Sequence, residues 1–178
     1  MKHLGVFLCS TLVATTACNR RTDPVSADYQ NLPADQIMIG ATHSPTSDGI
    51  RSAIGTYDTV YVFQDSSKLD LRGVNLQLFD ATGRQTATLT ARTGEMNTAT
   101  EAMVARGDVQ LVTLTDGRII RTEELHYDPA GRRIWSDVAT TMRHQGQDLQ
   151  ADGFSSDDQF KQIQFTRLRG RLPGRVSF

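Results

Sequence analysis

The chain has 178 residues, a formal net charge of −1 and 22% charged residues. That is enough for one domain with a real core, and the near-neutral balance gives no reason to expect nucleic acid or another polyanion as a partner. The two cysteines, Cys9 and Cys18, both precede the folded region. No disulfide can therefore staple the domain, and a cysteine metal site within it is excluded.

In chain order, Lys2 and His3 open the sequence, an apolar run spans Leu4 to Ala14, and Thr15-Thr16-Ala17 leads to Cys18. A positive start, a short apolar stretch and a small-residue exit is the plan of a secretory signal over residues 1–17. The run is too short to span a membrane, which takes about 20 apolar residues. The following cysteine resembles that of a bacterial lipobox, so Cys18 is expected to carry the lipid of a mature, membrane-tethered protein. Thr15 stands where a lipobox usually has leucine. Residues 18–35 are polar and proline-containing, and read as a flexible linker.

From Gln36 onward, strand-like runs alternate with turn signals and no helical period is sustained. The runs are Ile37–Thr42, Ile50–Tyr57, Thr59–Gln64, Leu69–Phe79, Thr86–Arg92, Glu95–Asn97 and Glu101–Ala105. Val109–Leu114, Arg118–Tyr127, Arg133–Trp135, Ala139–His144, Asp148–Phe154 and Gln162–Leu168 follow. Val, Ile, Leu, Thr and aromatic residues fill them, as half-buried pleated surfaces favour. Asp48-Gly49, Asp80-Ala81-Thr82-Gly83, Asp116-Gly117, Asp128-Pro129-Ala130-Gly131 and Gln145-Gly146 supply the turns. An all-β domain of antiparallel strands over 36–170 is predicted, with a tail at 171–178.

The same region repeats itself at a spacing near 29 residues. Glu95 steps onto Glu124 and Gly153, Asp108 onto Asp137, and Ala105 onto Ile134 and Ile163. One unit used several times, with a shared apolar interior, is the physical reading of such a period. Alternation assigns the wet and dry faces. Leu125 and Tyr127 share a face, as do Val109 and Leu111, Val138, Thr140 and Met142, and Ile163 and Phe165.

Residues Leu89–Met96, Met103–Val109, Asp116-Gly117-Arg118, Arg121–Asp128, Ile134–Asp137 and Ala151–Asp157 together resemble the LptC family of lipopolysaccharide-export components and its OstA-like relatives. The order and spacing hold from about residue 69 to 170, and more loosely back to 36. The resemblance implies an OstA-like β-jelly roll, open along one seam, whose apolar trough holds the acyl chains of lipopolysaccharide. It also implies partners: an inner-membrane permease and an LptA-like periplasmic bridge, docked through sheet edges. The family is usually held by a transmembrane helix, whereas this chain's leader points to lipid. The expected location is the periplasmic face of the inner membrane, with the outer membrane left open because Asn19 does not settle sorting.

The residues expected to line the trough are Met96, Val109, Leu111, Leu125, Tyr127, Ile134, Val138, Met142, Phe154, Ile163 and Phe165. Aliphatic and thioether side chains suit a carrier because their contacts are non-directional. The same residues also suit a closed core, and periodicity does not separate the two. Ile37–Thr42 and Gln162–Leu168 are expected at the sheet edges, where strand addition could dock a partner. After Lys161 come Arg167, Arg169, Arg171 and Arg175, a basic tail that could meet lipid phosphates or an acidic partner surface but reads first as a solvated terminus. His3, His43, His126 and His144 show no metal spacing, and no nucleophile elbow or phosphate loop occurs. No cofactor and no catalytic residue is expected. Glu95, Glu124 and Asp152 fall near repeat-equivalent places, where stacked carboxylates could do glycoside chemistry, but they read as outward-facing. A transport module leads, an adaptor lipoprotein that binds only protein stands as the alternative, and a glycan-active enzyme ranks third.

Overall fold

The computed structural model describes residues 34–169 except Asp48. All regular structure in this range is β. The strands are β1 (Gln36–His43), β2 (Thr46–Ser47), β3 (Ile50–Arg51), β4 (Ala53–Phe63), β5 (Lys68–Phe79), β6 (Gln85–Asn97) and β7 (Met103–Thr113). Then come β8 (Ile119–Asp128), β9 (Arg133–Ser136), β10 (Thr140–His144), β11 (Gln147–Ala151), β12 (Gly153–Asp157) and β13 (Ile163–Thr166). One antiparallel sheet of 11 strands runs β1-β4-β5-β6-β7-β8-β9-β12-β13, with β10 joining β8 to β11, while β2 and β3 form a small ribbon.

The turns are built by side chains that capture their own backbone, the Asx habit of Asp and Asn. Asp80 Oδ1 accepts from the amides of Thr82 (2.9 Å) and Arg84 (3.1 Å). Asn97 Oδ1 does the same for Ala99 and Thr100, and Asp157 Oδ1 for Gln159 and Lys161. These turns gather at two ends, one near residues 64–67, 98–102, 129–132 and 158–162, the other near 80–84, 114–118 and 145–146.

Halfway along, the strands bend. Register shifts fall between Thr90 and Thr93 and between Arg106 and Val109, where Gly107 and Asp108 take φ of 77° and 47°. Gly73 sits on the same line with φ of 61°, and an added Cβ there would collide with the Asp58 carboxylate. Bulges of this kind increase the local bend without ending a strand. The buried residues register the bend directly: Tyr57 to Val60, Leu71 to Val74 and Thr122 to Leu125 are three apart where flat alternation would make them two. Both halves of each long strand thereby feed one apolar cluster.

Several expected strand pairs are therefore single strands. Thr86–Arg92 and Glu95–Asn97 belong to β6, Glu101–Ala105 and Val109–Leu114 join as β7 from Met103 to Thr113, and the Tyr57–Thr59 boundary lies inside β4. In each case a residue that permits a bend reads in the sequence as a stop. Conversely, Asp148–Phe154 divides at Asp152 into β11 and β12. The 29-residue period corresponds to a hairpin: Glu95, Glu124 and Gly153 fall on β6, β8 and β12, and Ala105, Ile134 and Ile163 on β7, β9 and β13.

Candidate functional site

Between the facing strand halves runs the apolar interior. Val109, Leu111, Leu125, Ile134, Met142 and Phe154 are buried in it, and Met96, Tyr127, Ile163 and Phe165 pack partly buried against the same cluster. Val138 is the correction. It lies in the bend between β9 and β10 and is 39% exposed, because the corner at Asp137–Ala139 breaks the alternation that grouped it with Thr140 and Met142. Sequence reasoning passed over Tyr57, Val60, Leu71, Val74, Leu76 and Leu89, which belong to the same interior. Alternation on β5 signals several of them, but they precede the clearest copies of the repeat.

Two apolar cavities interrupt the packing. One of about 300 Å³ opens near β1, lined by Met38, Ala41, Tyr57, Val60, Leu71 and Met96 among others. Another of about 100 Å³ lies between Leu76, Leu78 and Leu89 on one side and Met103, Leu125 and Ile134 on the other. An apolar cavity of about 150 Å³ already admits a benzene-sized hydrocarbon. The larger space is on the scale of a stretch of alkyl chain, and its methionines can re-pack around one.

Polar groups inside this region serve the corner. The Thr122 and Ser136 hydroxyls meet at 2.9 Å, Thr122 donates to the Ala139 carbonyl (3.3 Å) and Thr140 to the Val138 carbonyl (3.0 Å). These bonds pair backbone groups that the break between β9 and β10 takes out of the ladder. Ser156 is also buried, and its hydroxyl finds no partner among the described residues. Burial raises the pKa of the Tyr57 and Tyr127 phenols.

The outward face carries charge. Lys68 reaches Asp70 (3.0 Å), and Arg106 bridges Glu95 (2.9 Å) to Glu124 (2.6 Å). His126 contacts Glu124 at 2.8 Å and stacks on Trp135, with ring centroids 5.0 Å apart. The hydrogen bond from Arg106 holds the Glu124 carboxyl below the usual carboxylate range. A general acid for glycoside cleavage needs the opposite shift. Asp152 is engaged by Arg167 (2.9 Å) and Arg169 (3.0 Å). These two arginines of the expected solvated tail are thus tied to the sheet, and Arg169 also pairs its backbone with Gln150. Arg171 and Arg175 lie outside the described residues, as does Cys18.

The expected terminal strands are the outer ones. β1 pairs with β4 and β13 with β12, so among the described residues the two do not close on each other. Ile39 on β1 is 85% exposed. Asp35, expected in the linker, donates its amide to the Val62 carbonyl and accepts from the Gln64 amide at 2.8 Å.

Among curated proteins none matches the chain. Among solved structures it is similar to LptH of Pseudomonas aeruginosa, described as the LptA-homologous periplasmic component of the lipopolysaccharide transport device. The TM-score is 0.52 at 12% identity, covering 65% of this chain and 82% of that one. At that identity the likeness speaks to the fold, an open antiparallel β-jelly roll of the LptA kind. The model of the family described as "Lipopolysaccharide-assembly, LptC-related" matches residues 41–171. With an open all-β roll and a match over most of its length, this chain belongs to the LptC family.

Proposed function

We propose that this chain is a non-enzymatic module of lipopolysaccharide transport that shields acyl chains between its strand halves and passes them from an inner-membrane extractor to a periplasmic bridge. The observation that carries the reading is the unclosed roll with apolar cavities between its facing halves. Each methylene taken out of water is worth about 0.8 kcal/mol. Partial shelter therefore suffices for carriage, and adaptable walls let the cargo leave. The unpaired sides of β1 and β13 suit strand addition by neighbouring jelly rolls, one from a permease and one from an LptA-like bridge. Lipidation at Cys18 would hold the module at the periplasmic face of the inner membrane. Met96, Leu125, Tyr127 and Ile134 are the residues proposed to meet lipid first, since they border the cavities.

Photocrosslinking in cells tests this. A benzophenone side chain at Leu125 is expected to capture lipopolysaccharide, and one at the exposed Val138 to capture far less. Adducts at Leu125 confined to the protein would support a sealed adaptor instead. Palmitate labelling that persists in Cys18→Ala would retire the anchor.

A further inference from the structure

The β12–β13 turn behaves unlike the other turns. Phe160 sits there with φ of 58°, a region that bulky side chains rarely occupy, and it is only 6% exposed. Its ring belongs to the same apolar cluster as Leu111 and Phe154. Every hydrogen bond that shapes the turn comes from its own end of the roll. Phe160 donates its amide to the Asp157 carbonyl, Asp157 Oδ1 takes the amides of Gln159 and Lys161, and Arg132 clasps Asp158 at 3.0 and 3.2 Å.

Across the seam, Gln159, Phe160 and Lys161 face Thr86, Thr113 and Arg118 around a polar cavity of about 320 Å³. Among the described residues no hydrogen bond or ion pair spans it. Phe160 is the apolar side chain that this turn buries in the shared cluster. Charge on the rim is uneven: Arg84 is paired with Asp80 and Arg118 with Asp116, while Lys161 has no carboxylate partner among the described residues.

We propose that this turn is a displaceable plug over a lateral binding site for an anionic amphiphile. The acyl tail takes the slot of the Phe160 ring, and the anionic headgroup rests in the polar cavity beside Lys161. The division of the site suits such a ligand, since the apolar position filled by the Phe160 ring adjoins a wet rim with surplus positive charge. The inference rests on the carrier reading above and deepens it by giving cargo a sideways path through the seam.

The test places benzophenone at Phe160, an aromatic substitution that preserves the plug, in the full-length chain with purified lipopolysaccharide as probe. Without lipid, mass spectrometry is expected to map adducts to the β6 and β7 ends near Thr86 and Thr113. With lipid, those internal adducts should fall several-fold and lipid adducts should appear. Lys161→Glu should lower lipid capture at position 160 while capture at Leu125 stays the same. Internal adducts that persist while Leu125 captures lipid overturn the plug and leave the carrier standing. Loss of lipid capture at both positions sinks both. Equal capture by Lys161→Glu and the parent removes the headgroup assignment.

Discussion

At the scale of single residues, the corner sorts hydroxyls that look alike in the sequence. Thr122 is bonded to Ser136 and to a carbonyl of the β9–β10 bend, whereas the Ser156 hydroxyl is buried without a partner among the described residues. Removing one member of a buried polar pair strands the other, at about 1–3 kcal/mol, while removing an already unsatisfied group is near neutral or favourable. Thr122→Val is therefore expected to lower stability by about 1–2 kcal/mol and Ser156→Ala to leave it level or raise it, as read by urea denaturation. The lesson of Gly153 is steric. An added Cβ there would lie 2.5 Å from the Ser136 carbonyl oxygen, so Gly153→Ala should cost about 1–3 kcal/mol by overpacking. This also explains why the repeat that carries Glu95 and Glu124 delivers glycine at its third copy: β12 begins where β9 passes closest.

Among elements, β1 and β13 end the main run of the sheet, and each has one strand partner among the described residues. A charged side chain on an edge strand discourages foreign pairing with little effect on the fold. Ile39→Lys, at a position already 85% exposed, is expected to leave the melting temperature unchanged. It should reduce capture of this chain by a neighbouring jelly roll in pull-down; full retention of capture would move docking away from this edge. Much at this scale was legible in the sequence, because Leu125-His126-Tyr127 or Val109-Gln110-Leu111 alternates cleanly and Asp-Gly pairs mark the turns. The bends were not legible. Thr93-Gly94 and Arg106-Gly107-Asp108 read equally well as strand ends, and only the neighbouring strands show that the ladder continues through them. Phe160 was hidden for a related reason: Asp157-Asp158-Gln159 is polar in sequence, and the cluster that takes in the ring draws on strands from β4 to β12.

For the whole molecule, titration brackets stability from both sides. Glu124 is held low by Arg106, Asp80 by the Thr82 hydroxyl and Asp148 by Arg143. The stability they lend is complete above the ordinary carboxylate values near pH 4 and is lost as acid takes the pH down through the folded-state values. Tyr57 and Tyr127, raised by burial, contribute below about pH 10 and fail as the pH climbs through their raised values. A urea midpoint that is flat between these limits and falls outside them is expected, and Glu124→Gln should soften the acid limb. The strand order has a last consequence, for the way the chain acquires its shape. From β4 to β9 spatial neighbours are chain neighbours, so hairpins can zip one after another without waiting for distant sequence. A polypeptide delivered amino end first across a membrane could lock each of these rungs behind the exit, while β1 with β4, β10 with β8 and β12 with β9 must each wait for a longer loop to close.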